Sequence, residues 1–505
     1  MNTIQDIRGE HLIWRGLNQV LTVIRIHGAK IAKHKLFAYI CLAAVIGVAV
    51  SNRVFLQYEF PIPWNDETAF IAQSISLADN GSFYTYGLNA NRDLMWMPPG
   101  YMILLAAAFK IFGYGYDLSR WISVFLYIGS VLLCFAAIQS QLTGWHKTFA
   151  CIVFAFVFIT PYVLVISNIA RMEALYMFLF LLAMHLTLNQ KYGHGLSVVL
   201  VAALVHFNAI YFLFPFLFYL FWLVVKRRAF VIAPSEIVSL FVAGLLLLLY
   251  LNYISMDFQG FLSDMAFQFS YKDSFGPAFG GRKGIASILF LTCIIAAMGI
   301  KKKEFSSGMI ISLFGVSFLM LGINGRGHMW YEFSFSISVM LFSIASLISI
   351  EHSDIHIAQY IGGGVFIASI LALMHFGHTC SPLQEISPHL STFKKHFLQP
   401  DEIKRVNRFL EQLPAGTKVT FGYTGVEPLF FSAFRKSGAV WTANFNSMTQ
   451  PFPLREVDYI IICDSSMYPQ YLLNYDFDGY KRRGENSGCQ ITAAKQDPGS
   501  KVLEH

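Results

Sequence analysis

The chain has 505 residues, of which 55% are hydrophobic and 13% charged, and its mean hydropathy is +0.52. So apolar a composition excludes an ordinary water-soluble protein and makes the bilayer the solvent. The formal net charge is +7, but the basic residues fall in short clusters between apolar runs, a pattern of membrane topology that argues against a nucleic-acid partner. The seven cysteines show neither CxxC nor Cys/His spacing, with Cys380, Cys463 and Cys489 outside the apolar runs, so no zinc site and no disulfide framework is expected.

The N-terminal segment carries Arg8, Arg15, Arg25, Lys30, Lys33 and Lys35, and no small-residue cleavage site follows the next apolar run. That run is predicted to be an uncleaved anchor behind a cytoplasmic N-terminus. A spanning helix needs about 20 mostly apolar residues. Such runs fall near 36–56, 119–139, 148–167, 172–189, 195–208, 209–225, 237–255, 285–300, 307–323, 333–350 and 357–376, predicting an α-helical polytopic membrane protein of about eleven spans. The fifth and sixth runs are short and meet around His206-Phe207-Asn208, where a hairpin or one broken helix is expected.

Threading these spans from a cytoplasmic N-terminus places Lys147, Lys191, Lys226-Arg227-Arg228 and Lys301-Lys302-Lys303 inside. The agreement requires the apolar stretch 98–113, which opens Pro98-Pro99-Gly100-Tyr101, to lie in the interface without spanning. The outer segments are then 57–118, 168–171, 256–284, 324–332 and everything after 377.

Near residue 380 charged residues return and the apolar runs shorten. The expected organisation is a transmembrane domain over 1–379, with its first outer loop at 57–118, and a small extracytoplasmic α/β domain over 380–505. Within the latter, 401–412 and 426–435 read as helices, and Lys418-Val419-Thr420-Phe421 and the stretch 457–463 as strands. Gly422 and Gly425 read as a tight strand-to-helix turn.

Immediately after the first span, Trp64-Asn65-Asp66-Glu67-Thr68 leads into a stretch with Phe70, Ile71, Ile75 and Ala78 at helical spacing. This predicts an interfacial helix with two carboxylates in its first turn. The plain reading of those acids is helix capping and a favourable dipole interaction.

The order of motifs adds a second reading. The Asp66-Glu67 pair is followed by Met97-Pro98-Pro99-Gly100-Tyr101, by Phe112-Gly113 and Arg120, and then by Ser167-Asn168-Ile169-Ala170-Arg171-Met172-Glu173. Over roughly residues 36–230 this resembles the GT-C glycosyltransferases, in the branch of the protein O-mannosyltransferases and lipid A aminoarabinose transferases. The resemblance implies transfer of a sugar from a polyprenyl-phosphate donor to a lipid, glycan or protein acceptor on the extracytoplasmic face of the cell membrane. By the same carry-over Asp66 is the general base of an inverting displacement, and Glu67 orients the acceptor or a metal. A divalent cation at Asp66 and Glu67 is the one cofactor the pair would suit.

A departing phosphate needs fixed positive charge. Arg171, Arg282, Arg326 and His328 map to outer segments and are the candidate donor-phosphate ligands, each with the alternative of snorkelling towards lipid headgroups. Arg171 could also simply pair with Glu173, itself a candidate because an ionisable group beside a span is costly. His206 reads as an interhelical hydrogen-bond partner or a ligand, and Tyr331, in the stretch 324–332, as part of a lid or of an aromatic belt. Two other classes compete: a multi-span transporter or lipid flippase, and a catalytically silent assembly subunit. The long first outer loop and the gathering of ionisable residues at the outer face speak against a transporter.

Overall fold

The computed structural model describes residues 35–56, 65–85, 92–93, 95–227, 233–273, 304–324, 329–352, 400–421, 427–442, 457–463 and 489–493. The long apolar runs become helices because a bilayer offers the backbone no other hydrogen-bond partners, and several of these helices are shorter than a full crossing. They are α1 (Lys35–Phe55), α4 (Tyr116–Gln141), α5 (Gly144–Ile159), α7 (Glu173–Leu188), α8 (Tyr192–Ala203), α9 (Ile210–Arg227), α10 (Pro234–Met256), α12 (Glu304–Asn324) and α13 (Met329–His352). By length and composition alone, four described helical stretches can cross a membrane: Lys35–Phe55, Tyr116–Gln141, Pro234–Met256 and Phe333–Glu351. The expected spans 285–300 and 357–376 lie outside the described residues, as do Gly422 and Gly425 and the boundary expected near 380.

Two elements differ from the sequence reading, and the break expected at His206 is present. The span expected over 148–167 breaks at Thr160, after which Pro161, lacking an amide hydrogen, opens a five-residue helix, α6 (Pro161–Val165). The two short runs meeting at His206 are separate helices, α8 and α9, joined by the 3-10 turn Phe207–Ala209, and the His206 Nδ1 accepts the Asn208 amide at 3.0 Å as its cap. The outer segment expected as a loop from 256 contains a helix, α11 (Phe258–Asp273).

Two helices precede the second span. They are α2 (Asn65–Asn80), which carries the acids, and α3 (Gly100–Phe112), which at thirteen residues is short for a crossing. Phe70 of α2 packs on Trp96 and, edge to face, on Tyr101 of α3 at ring separations of 4.8 and 5.5 Å. Gly100 explains the Pro-Pro-Gly break before α3: its amide donates to the Leu204 carbonyl at 2.6 Å, and a Cβ there would lie 2.6 Å from the same oxygen. Only a residue without a side chain lets α3 begin against the end of α8.

The centre of the helical body is α13. Its stretch Phe333–Glu351 is 94% buried, against 11% for the lipid-facing Pro234–Met256. Ser343, Ser346 and Ser349 return their hydroxyls to the carbonyls four residues back, so small residues let α12 pack closely without leaving polar groups unmet.

The C-terminal part forms a small α/β layer. Helix α14 (Pro400–Glu411) and helix α15 (Phe431–Ser437) accompany a four-stranded sheet of β1 (Lys418–Phe421), β2 (Val440–Thr442), β3 (Tyr459–Cys463) and β4 (Cys489–Ala493) in the order β2-β1-β3-β4. The first three strands are parallel and β4 is antiparallel to β3, with Cys463 in register with Cys489. Cys489 is disulfide-bonded, which corrects the expectation drawn from cysteine spacing.

Candidate active site

The acids at the start of α2 lie where α4, the segment 166–172 and the α/β layer converge. Glu67 is fully buried. Its Oε1 accepts from Arg120 Nε at 3.1 Å and the Ala170 amide at 2.7 Å, and its Oε2 from Arg120 Nη2 at 2.8 Å and the Tyr116 hydroxyl at 2.9 Å. A buried carboxylate is tolerated only when so fully met. Tyr116, Arg120 and Ser123 share one face of α4 at helical spacing, and Ser123 donates to the Ile169 carbonyl at 2.6 Å, anchoring the segment that supplies Ala170.

Asp66 differs from its neighbour. Its side chain is 27% exposed, its Oδ2 pairs with Arg171 Nη1, and among the described residues its Oδ1 accepts no hydrogen bond. Arg171 is itself buried and forks onto Glu173, Nε to Oε2 at 3.1 Å and Nη2 to Oε1 at 2.8 Å. Among the described residues three carboxylates therefore share two guanidinium groups, and Asp66 is the one of the three acids that reaches solvent.

With two hydrogen bonds on each oxygen, Glu67 has no lone pair directed at a metal, and no group of three or more His, Cys, Asp or Glu among the described residues could hold one. The donor set at Glu67 does not fit the cation suggested by the sequence.

A second cluster joins the segment between α2 and α3 to α11. Arg92 forks onto Asp264 at 2.8 and 2.6 Å, and the Met95 amide meets the same carboxylate at 2.8 Å. The hydrogen bond to Asp264 raises the Arg92 guanidinium above its ordinary value. At the opposite end of the bundle, Glu351 of α13 accepts the Thr143 amide at 3.1 Å, and Lys147 closes on the Gln139 carbonyl. Lys147 thus lies at the far end of α4 from Arg120.

No family model matches the sequence, and no curated protein sequence matches it. Among solved structures the chain matches the crystal structure of ArnT from Cupriavidus metallidurans bound to undecaprenyl phosphate, with a TM-score of 0.52 at 10% identity, over 92% of this chain and 98% of that one. The chain has the GT-C fold. It is a polytopic helical membrane protein with an α/β layer at its C-terminal end, and the GT-C architecture extends over nearly its whole length.

Within that fold, the sequence candidates separate into three groups. Asp66, Glu67, Arg171 and Glu173 come together in one charge network. His206 stands apart as a turn cap whose ring lies 5.5 Å from that of Tyr176. Arg282, Arg326 and His328 lie outside the described residues, and so does the side chain of Tyr331 in the first turn of α13. Sequence reasoning passed over Tyr116 and Arg120 as site residues, although their four-residue spacing at the start of α4 puts a hydroxyl and a cation on one face.

Proposed function

We propose that this chain is a glycosyltransferase that moves a sugar from a polyprenyl-phosphate donor to a hydroxyl of a lipid, glycan or protein acceptor at the extracytoplasmic face, with Asp66 as general base. The observation that carries the reading is the contrast within the acid pair: Glu67 is saturated and buried, whereas Asp66 is partly exposed and, among the described residues, has one oxygen that accepts no hydrogen bond. The fold shared with a protein crystallised on undecaprenyl phosphate supports the donor class.

In the proposed reaction the acceptor oxygen attacks the anomeric carbon as its proton passes to Asp66 Oδ1. The bond from the anomeric carbon to the phosphate oxygen breaks, its electron pair stays on the polyprenyl phosphate, and the configuration inverts. A phosphate leaves without needing a second acid, so one carboxylate suffices. Arg171 makes the proton transfer tolerable: Glu173 already neutralises the guanidinium, so protonating Asp66 strands no buried cation. We assign Glu67 to positioning, Arg171 and Glu173 to holding Asp66, and the carrier phosphate to Arg282, Arg326 and His328.

Sidedness rests on the α/β layer. A disulfide at Cys489 fits an oxidising compartment, and the same layer contacts α2 beside Asp66 through Glu427. We propose that the domain beginning near residue 380 and the acid pair both face the extracytoplasmic space.

The test is transfer of radiolabelled sugar from undecaprenyl-phosphate-linked mannose, glucose or aminoarabinose by the purified chain and by Asp66→Asn. Transfer by the native chain that the variant loses, at equal expression and thermal stability, supports the assignment. An active Asp66→Asn would remove Asp66 as the base. No transfer from any donor, with an unaltered glycolipid and glycan profile in cells lacking the chain, would favour a silent assembly subunit.

A further inference from the structure

Three consecutive side chains in the first turn of α2 are held from three directions. Asp66 meets Arg171 of the segment 166–172, Glu67 meets α4, and the Thr68 hydroxyl donates to Glu427 Oε2 at 3.3 Å. Glu427 opens the 3-10 turn Glu427–Leu429 of the α/β layer. Thr68 is fully buried and Glu427 is 1% exposed. Around them, Tyr114 donates its hydroxyl to the Pro428 carbonyl, and Arg435 pairs with Asp79 at the other end of α2 at 2.8 Å.

A buried carboxylate is held by its hydrogen bonds, which have a direction that apolar packing between the two layers lacks. What the acid supplies is direction. Successive helix positions project about 100° apart, so Thr68 and Asp66 leave α2 about 200° apart, on nearly opposite sides. Fixing one therefore fixes the other. A rotation of about 12° moves a side-chain tip about 5 Å from the helix axis by about 1 Å, and a displacement of that size costs roughly 100-fold in rate.

We propose that Glu427 is a positioning residue: through Thr68 it sets the rotation of the first turn of α2, so that the α/β layer completes the site by aiming Asp66 at the acceptor. The proposal rests on Asp66 being the base, and its test separates the two ideas.

The full chain is compared with Glu427→Ala, Glu427→Gln, Thr68→Val and the Thr68→Val/Glu427→Ala double variant, using the donors named above. Glu427→Ala should lower kcat about tenfold or more with donor KM within about twofold. Glu427→Gln, which still accepts from Thr68, should recover most of that loss, and the double variant should be no slower than the slower single one. In parallel, Asp66→Cys is labelled with a membrane-impermeant maleimide with and without Glu427→Ala, and the labelling rate should change several-fold. This arm reads the turn without catalysis. An unchanged kcat and labelling rate, additive single effects, or a loss in Glu427→Ala that appears in KM or merely follows lost folded protein would overturn the proposal. If Asp66→Asn stays active while labelling shifts, the base assignment fails and the coupling of Glu427 to the turn stands.

Discussion

Arg120 and Glu67 face each other through two parallel hydrogen bonds, at 3.1 and 2.8 Å, with neither side chain exposed to solvent. One residue earlier, Asp66 is partly exposed and meets Arg171 through a single carboxylate oxygen. Neighbours in sequence thus occupy opposite regimes of burial, and substitutions should separate them. Glu67→Ala removes the carboxylate that meets the buried Arg120 guanidinium through two hydrogen bonds, at a cost of about 3–5 kcal/mol. Its apparent Tm in detergent should fall sharply, whereas Asp66→Asn should keep its Tm and lose transfer. If both variants keep Tm and differ only in rate, Glu67 is not the anchor described here.

Arg171 spans two carboxylates with three different nitrogens. Lysine carries the same charge as a single point and cannot fork onto Glu173 while reaching Asp66. Arg171→Lys should therefore lower kcat by roughly tenfold or more. The measurement is kcat and donor KM together: a rise in KM alone would move Arg171 to donor binding.

The close approach at Gly100 gives a stability prediction with an internal control. Gly100→Ala would push a methyl to 2.6 Å from the Leu204 carbonyl oxygen, whereas nothing lies within 4 Å of a Cβ at Gly244 on lipid-facing α10. The first should destabilise by about 1–3 kcal/mol through overpacking, and the second should be neutral or stabilise by up to about 1 kcal/mol through helix propensity. Thermal unfolding of the two alanine variants in one detergent decides it, and equal Tm values would contradict the packing described at Gly100.

The helical body was legible because each apolar run of spanning length has one way to satisfy its backbone in lipid. The break after Ile159 went unread, although Pro161, which cannot donate a backbone hydrogen bond, marks it. The helix Phe258–Asp273 was not legible, because its ordering comes from Arg92 gripping Asp264 across 172 residues of chain. The acid pair was visible as a motif, but the division of labour within it was not. Glu67 is decided by Tyr116, Arg120 and Ala170, which lie 49, 53 and 103 positions away. Thr68 is decided by Glu427, 359 positions away. Local periodicity locates a carboxylate on a helix, whereas only the tertiary contacts say which oxygen is left open.

The α/β layer should have its own acid limit, traceable to Glu402. Arg405 holds the Glu402 carboxyl below its usual range through a hydrogen bond, burial opposes this, and the Cys489 amide adds to it at 2.7 Å. Because the folded value lies below the unfolded one, the contribution is fully present above the ordinary glutamate range and is lost as pH falls through the depressed folded value. Glu402→Gln removes it at every pH. The variant should be less stable than the native chain at pH 7, and the two should converge in acid once pH has fallen through the depressed folded value. Unfolding followed at Trp441, in β2 of the same layer, reads this region directly. A gap that persists or widens in acid would mean that the Glu402 carboxylate contributes nothing through its charge.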